Sequence, residues 1–318
     1  MLILLVGYLA VTQPEFATTY NLMSILEANS VLLLVATGLT LVLLCGGFDL
    51  SVGAMLALSG ILLAELVRSG ANYFLAAVLI VVLAAIVGGL LNGLLIGRLG
   101  LSFFVVTLGT MSLFRGTGQV VTEGQSVNLY DIQAARTVGS GDVAGVPWLT
   151  VVALTVFVVA VLVTRYTGYG RMLYAVGGNA EAARLAGINV WAVRASTYAV
   201  CAGTAALAGV LEASRLGTAA PGAATGMELT AASAVLLGGT SFAGGSGSLI
   251  GTLLGTLFLG VISNGLTISQ VSSFWQGVVT GLVLLAAVLV DRLRTTRVRP
   301  RLWRTGRRPR PAGASVSA

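Results

Sequence analysis

Long apolar runs, broken by short clusters of glycine and a few charged residues, fill the chain from its first residues to Val290. A helix rises about 1.5 Å per residue and the hydrocarbon core of a bilayer is about 30 Å thick, so one crossing needs about 20 apolar residues. Runs that meet or approach that length are Asn29 to Gly46, Leu50 to Val67, Tyr73 to Ile96, Leu101 to Val121, Pro147 to Tyr166, Val193 to Ala213, Leu249 to Leu266 and Phe274 to Val290. Leu229 to Leu237 is shorter, and has two readings: the core of a crossing that begins near Gly226, or a broken, re-entrant helix that must be packed inside protein. Met1 to Val11 is apolar, too short to span, and lacks the basic flank and cleavage site of a secretory signal, so it is expected to be a shortened first span. The pattern predicts an all-α polytopic membrane bundle of about 9–10 transmembrane helices occupying residues 1–291.

Composition agrees. The 318 residues are 56% hydrophobic and 9% charged, with a mean hydropathy of +0.96. A soluble domain carries about 25% charged residues, so the surface of this one must largely face lipid. All 18 basic residues are arginine, and nine fall between Arg292 and Arg310. Residues 292–318 therefore read as a basic, disordered cytoplasmic tail that meets anionic lipid, not nucleic acid. Because positive loops stay in the cytoplasm, the segment with Arg165, Arg171, Arg184 and Arg194 against Glu181 alone belongs on that side too. Four predicted crossings separate it from the tail, an even number, so both assignments agree. They place Glu123 to Val146, whose charges nearly cancel, outside.

Several chemistries have no residues to run on. There is no histidine, and Cys45 and Cys201 sit in apolar runs as small hydrophobes, so no metal site and no catalytic residues are expected. A Walker-type phosphate loop needs a lysine after its glycines, and the chain has none. The glycine-rich stretch Gly238 to Gly247 is thus a helix break or a tight helix contact, and any ATP must be hydrolysed elsewhere. The 42 glycines recur within runs, as at Gly88, Gly89, Gly93 and Gly97 or Gly251, Gly255 and Gly260, where they let helix backbones approach closely. The turns Gly46-Gly47-Phe48-Asp49-Leu50-Ser51 and Gly238-Gly239-Thr240-Ser241 echo one another, each between two apolar helices.

Polar residues within this apolar chain are the candidate chemistry. Asp49 and Ser51 suit the N-cap of the next helix after a cytoplasmic turn; a second reading gives Asp49 a functional position, since acid near lipid is costly unless paired. Asn92, Thr107, Asn264 and Gln276 are candidates to line a solute pathway, or serve as glue between helices. Arg115 with Glu123, and Glu212 with Arg215 and Glu228, lie near external ends, as docking charges for a partner or as interface anchors. From Asn179 to Gly187 the sequence writes a short helix: Asn179 as N-cap, Glu181 in the positive first turn, helix-forming Ala180, Ala182, Ala183 and Arg184, and Gly187 as a left-handed stop. About 10 Å of helix is marginal alone, so it either lies on the membrane surface or docks on a partner.

The run Glu181-Ala182-Ala183-Arg184-Leu185-Ala186-Gly187 resembles the Glu-Ala-Ala-x-x-x-Gly core of the coupling segment in ABC importer permeases. The chain is similar, more narrowly, to the ribose-type monosaccharide permeases of bacterial ABC transporters. That likeness is carried by Ala36-Thr37-Gly38-Leu39-Thr40, Gly47-Phe48-Asp49-Leu50-Ser51-Val52-Gly53, Thr107-Leu108-Gly109-Thr110, Arg115-Gly116, Tyr174-Ala175-Val176-Gly177-Gly178-Asn179, Gly238-Gly239-Thr240-Ser241, Ser273-Phe274-Trp275-Gln276 and Asp291. The resemblance implies a permease dimer, a homodimer in the simplest case, in a bacterial inner membrane. It implies separate cytoplasmic ATPase subunits that bind ATP and magnesium, no cofactor on this chain, and an extracytoplasmic sugar-binding protein. Asn179 to Gly187 would then contact the ATPase. The short first helix and the arginine-rich extension depart from the family pattern. A branched-chain amino-acid permease and an ion-coupled secondary transporter remain as alternatives, although the acidic residues gather at helix ends, which disfavours the latter.

Overall fold

The computed structural model describes residues 2–272 and 274–297. Among them are thirteen helices: α1 (Leu2–Thr12), α2 (Thr19–Leu44), α3 (Val52–Arg68), α4 (Tyr73–Asn92), α5 (Phe103–Thr122), α6 (Gln133–Ser140), α7 (Trp148–Tyr166), α8 (Gly168–Gly178), α9 (Ala180–Leu185), α10 (Val190–Leu216), α11 (Met227–Leu237), α12 (Leu249–Ile268) and α13 (Phe274–Arg297). Strands are two residues each: β1 (Val127–Asn128) pairs with β4 (Thr218–Ala219), and β2 (Asp142–Val143) with β3 (Val146–Pro147), both antiparallel. The protein is an all-α polytopic bundle. Among the described residues five helices are long and apolar enough to cross a membrane: α2, α4 with its π-helical extension Gly93–Arg98, α7, α10 and α12.

One boundary differs from expectation for a physical reason. The first long helix begins at Thr19, not near Asn29. Asn21, Glu27 and Asn29 interrupt the hydropathy there, but Asn21 exchanges hydrogen bonds with Asn264 of α12 at 3.1 and 2.7 Å, and Asn29 donates to the carbonyl of Ile25 at 2.9 Å. With their amides satisfied inside protein, the two asparagines do not stop a helix. The segment near Leu229 forms α11, whose 11 residues reach about half the hydrocarbon core. Its Ala231 to Leu236 are buried, the condition a half-length helix in a membrane requires. The last helix continues to Arg297, and the remainder of the expected tail, 298–318, lies outside the described residues.

The centre is built on α2 and α10. Leu34, Val35 and Leu39 of α2 and Cys201, Ala205 and Ala206 of α10 are buried. A β-carbon on Gly88, Gly89 or Gly93 would crowd Ala202, Ala199 or Ala195 of α10, so the glycine face of α4 is where these two backbones meet. Hydroxyl pairs cross between helices: Ser30 to Thr150 at 3.0 Å, Thr40 to Thr252 at 2.8 Å and Tyr73 to Ser214 at 2.7 Å. Each such bond is worth about 0.6 kcal/mol in a membrane bundle. One end of the bundle carries α8, α9 and the turns 45–51 and 238–248; the opposite end carries α6 and the β1–β4 pair.

Candidate functional site

The helix written from Asn179 to Gly187 forms as α9. Asn179 Oδ1 accepts the amide of Ala182 at 3.0 Å, closing the N-terminus. Gly187, at φ +85°, donates its amide to the Arg184 carbonyl, and the Ile188 amide reaches the Ala183 carbonyl, each at 3.0 Å. This pair of bonds is the Schellman stop that only a left-handed residue permits. Ala183 is the one buried residue of α9; Glu181 and Arg184 form an ion pair at 2.7 Å in solvent, and Leu185 is 80% exposed. A capped helix that buries one methyl group of its own presents a small, rigid, mostly polar surface.

Directly before it, α8 is fastened to the bundle through backbone. Gly177 lies so close to the end of α2 that a β-carbon there would overlap the Leu44 carbonyl, and that same carbonyl accepts the amide of Gly245 at 3.0 Å. Gly244, at φ +86°, packs on the backbone of Gly46. Tyr174 donates to the carbonyl of Gly247 at 3.0 Å, and burial raises its phenol pKa, which keeps it a donor. Two glycine turns and the glycine end of α8, far apart in sequence, thus close on one another. Their rings meet as well: Phe48 lies 5.6 Å from Phe242 and 6.4 Å from Phe104, and Tyr198 donates to the Phe48 carbonyl at 3.3 Å.

Asp49 and Ser51 sit in that junction, 1% and 2% exposed. Asp49 Oδ1 accepts the amide of Ser51 at 2.8 Å and its hydroxyl at 2.6 Å, while Oδ2 accepts from Asn92 at 3.4 Å. Neither caps α3 in the expected way, because the Ser51 hydroxyl is turned onto Asp49 and makes no cap bond. Asn92 passes the link on, accepting from Thr110 of α5 at 2.9 Å. The turn after α2 is thereby tied to α4 and α5.

The four pathway candidates separate into two places. Asn92 is within the Asp49 cluster, and Thr107, fully buried one turn from Thr110, donates to the Phe103 carbonyl. Asn264 and Gln276 line a cavity of about 700 Å³ between α2, α11, α12 and α13, together with Asn29, Ser263, Thr267 and Thr280. Its lining includes no formally charged side chain. That volume suits a small molecule, and the wall is mostly apolar, with Leu32, Leu259 and Leu284 beside the neutral amides and hydroxyls.

The external charges are arranged differently from the pairs the sequence suggested. Arg115 turns inward and donates to the carbonyls of Pro221 and Ala223 at 2.5 and 2.7 Å, holding the loop that enters α11, and forms no pair with Glu123. Arg215 pairs with Glu212 at 2.8 Å, without Glu228. Glu228 lies in the first turn of α11, with its Oε2 buried against Gly53 and no hydrogen-bond partner. Sequence reasoning missed Tyr174, Phe48 and Tyr198 as parts of the junction; the repeated Gly-Gly pairs at 46, 177 and 244 were the signal.

The family described as branched-chain amino acid transport system / permease component matches residues 21–288, which is most of the chain. The chain belongs to that permease family. Among its relatives is the ribose import permease protein of Escherichia coli, 41% identical over 293 residues, which cover 91% of each chain. The ribose import permease protein of Bacillus subtilis is 40% identical over 292 residues, 92% of this permease and 90% of the relative. The D-allose transport system permease protein of Escherichia coli is 38% identical over 294 residues, again 92% and 90%. No solved structure matches the permease.

Proposed function

We propose that this permease is the membrane-spanning subunit of an ATP-driven importer for a monosaccharide of the ribose or allose kind, in a bacterial cytoplasmic membrane. The carrying observation is α9: a helix closed at both ends, anchored through α8, with its surface left to another molecule. Cytoplasmic ATPase subunits, which hold ATP and magnesium, dock there; an extracytoplasmic binding protein delivers the sugar, and a second permease chain completes the pathway. The C-terminus lies on the cytoplasmic side with α9, as the arginines from 165 to 194 and beyond 291 argue. ATP binding closes the ATPase pair, α9 moves, and the pathway changes the side to which it opens.

The relatives named for ribose and allose support the sugar, and so does the chemistry of the cavity. An amino acid brings an ammonium and a carboxylate, for which this cavity offers no opposite charge. The permease is reconstituted in proteoliposomes with its ATPase and binding protein, and labelled ribose, allose and leucine are followed with and without ATP. Sugar accumulation that needs ATP and all partners is expected. Uptake that persists without the ATPase, or that prefers leucine, sinks the reading.

A further inference from the structure

We propose that the backbone seam formed by Gly177, Leu44 and Gly245 is the element that carries movement of α8 and α9 into the pathway, a role that rests on the reading of α9 as the ATPase dock. The seam has no side chain between the parts it joins. Gly177 abuts the Leu44 carbonyl, the Gly245 amide bonds that same oxygen at 3.0 Å, and Gly244 abuts Gly46. A contact through side chains absorbs displacement by changing rotamer; packed backbone does not, because close-packed atoms leave no void to move into. Displacement of Gly177 must therefore displace the end of α2 and the turn between α11 and α12.

Both of those elements reach the cavity. α2 has its foot in the seam at Leu44 and lines the cavity with Ser24, Asn29 and Leu32; α11 starts at the cavity with Met227 and Thr230 and runs down to the turn that holds Gly245. Hydrogen-bonded helices transmit axial movement along their whole length, so a shift at the seam arrives at the solute. Tyr174 adds a second tie from α8 to the same turn, at Gly247. Gly178, the adjacent residue, has nothing within 4 Å of where a β-carbon would stand, which makes it a built-in control.

The test uses the complete transporter in proteoliposomes, carrying Gly177→Ala, Gly178→Ala or Tyr174→Phe, with three readouts: ATPase subunits retained, ATP hydrolysed, and sugar imported per ATP. Gly177→Ala is expected to retain the ATPase and hydrolyse ATP while sugar imported per ATP falls about tenfold, within the usual range of coupling energies between sites. Tyr174→Phe loses a smaller factor and Gly178→Ala none. If Gly177→Ala does not assemble, Tyr174→Phe decides: an unchanged ratio overturns the seam. ATPase retention with wild-type coupling in both variants overturns the seam alone. Failure of the unsubstituted chain to retain the ATPase overturns the docking reading and the seam with it.

Discussion

The seam beside α9 and the cavity between α2, α11, α12 and α13 share helices yet are made of opposite materials. At the seam, glycines bring carbonyls and amides of distant turns together without any side chain between them. At the cavity, the same helices spread apart and the space is walled mostly by apolar side chains, with neutral amides and hydroxyls set among them. Glycine is present in both places with different consequences: Gly244 has the backbone of Gly46 against it, whereas Gly277 has open space where a β-carbon would go. A part that passes on force has to be stiff, and a part that holds a passing solute has to be weakly and broadly sticky.

The sharpest way to break that contrast is Gly244→Val. A β-branched residue at φ +86° combines backbone strain with overlap on Gly46, so a loss of about 3 kcal/mol or more is expected, read as a markedly lower Tm in detergent. A Tm near that of the unsubstituted protein would show the seam to be soft. On the cavity side, Gln276→Leu removes an amide that accepts from Ser263 at 3.2 Å and faces the open space. One neutral hydrogen bond is worth about 1 kcal/mol, so KM for sugar uptake should rise about fivefold with Tm preserved. An unaltered KM would separate the cavity from the pathway. Asn179→Ala removes the α9 cap, for about 1 kcal/mol, and should loosen ATPase retention while leaving the Tm of the bundle alone. The smallest effect is expected of Gly277→Ala, which fills empty space in a helix and should hold or slightly raise the Tm; a fall there would put hidden packing beside α13.

What the sequence could disclose follows from the same division. Apolar length alone marks α4, α7 and α12, because lipid-exposed helices must be apolar throughout. It misplaces the start of α2, since Asn21 finds its partner in Asn264, 243 positions away, which only the fold brings near, and Asn29 turns its amide back onto the carbonyl of Ile25. The caps of α9 were legible because capping is local: Asn179 and Gly187 act on amides and carbonyls within a few residues. The seam was not, because backbone atoms are common to every residue and leave no signature except the space they need. Asn264 and Gln276 were singled out with Asn92 and Thr107 on residue type alone, and type cannot say which amide is bound into the Asp49 cluster and which stands in the wall of a cavity.

The six π-helical residues that end α4 have a consequence for how that helix meets α10. Glycines set four apart overshoot a turn of 3.6 residues and creep around an α-helix. A turn closed five residues back, as in the bond from the Leu99 amide to the Leu94 carbonyl at 3.1 Å, holds more residues and takes the creep out again. Gly97 therefore still faces α10 where its alanines give way to Trp191, and Arg98 lays its guanidinium over that indole at 5.9 Å. The two helices are thereby toothed together over their whole shared length, alanine methyls of α10 seated in the notches that the glycines of α4 leave.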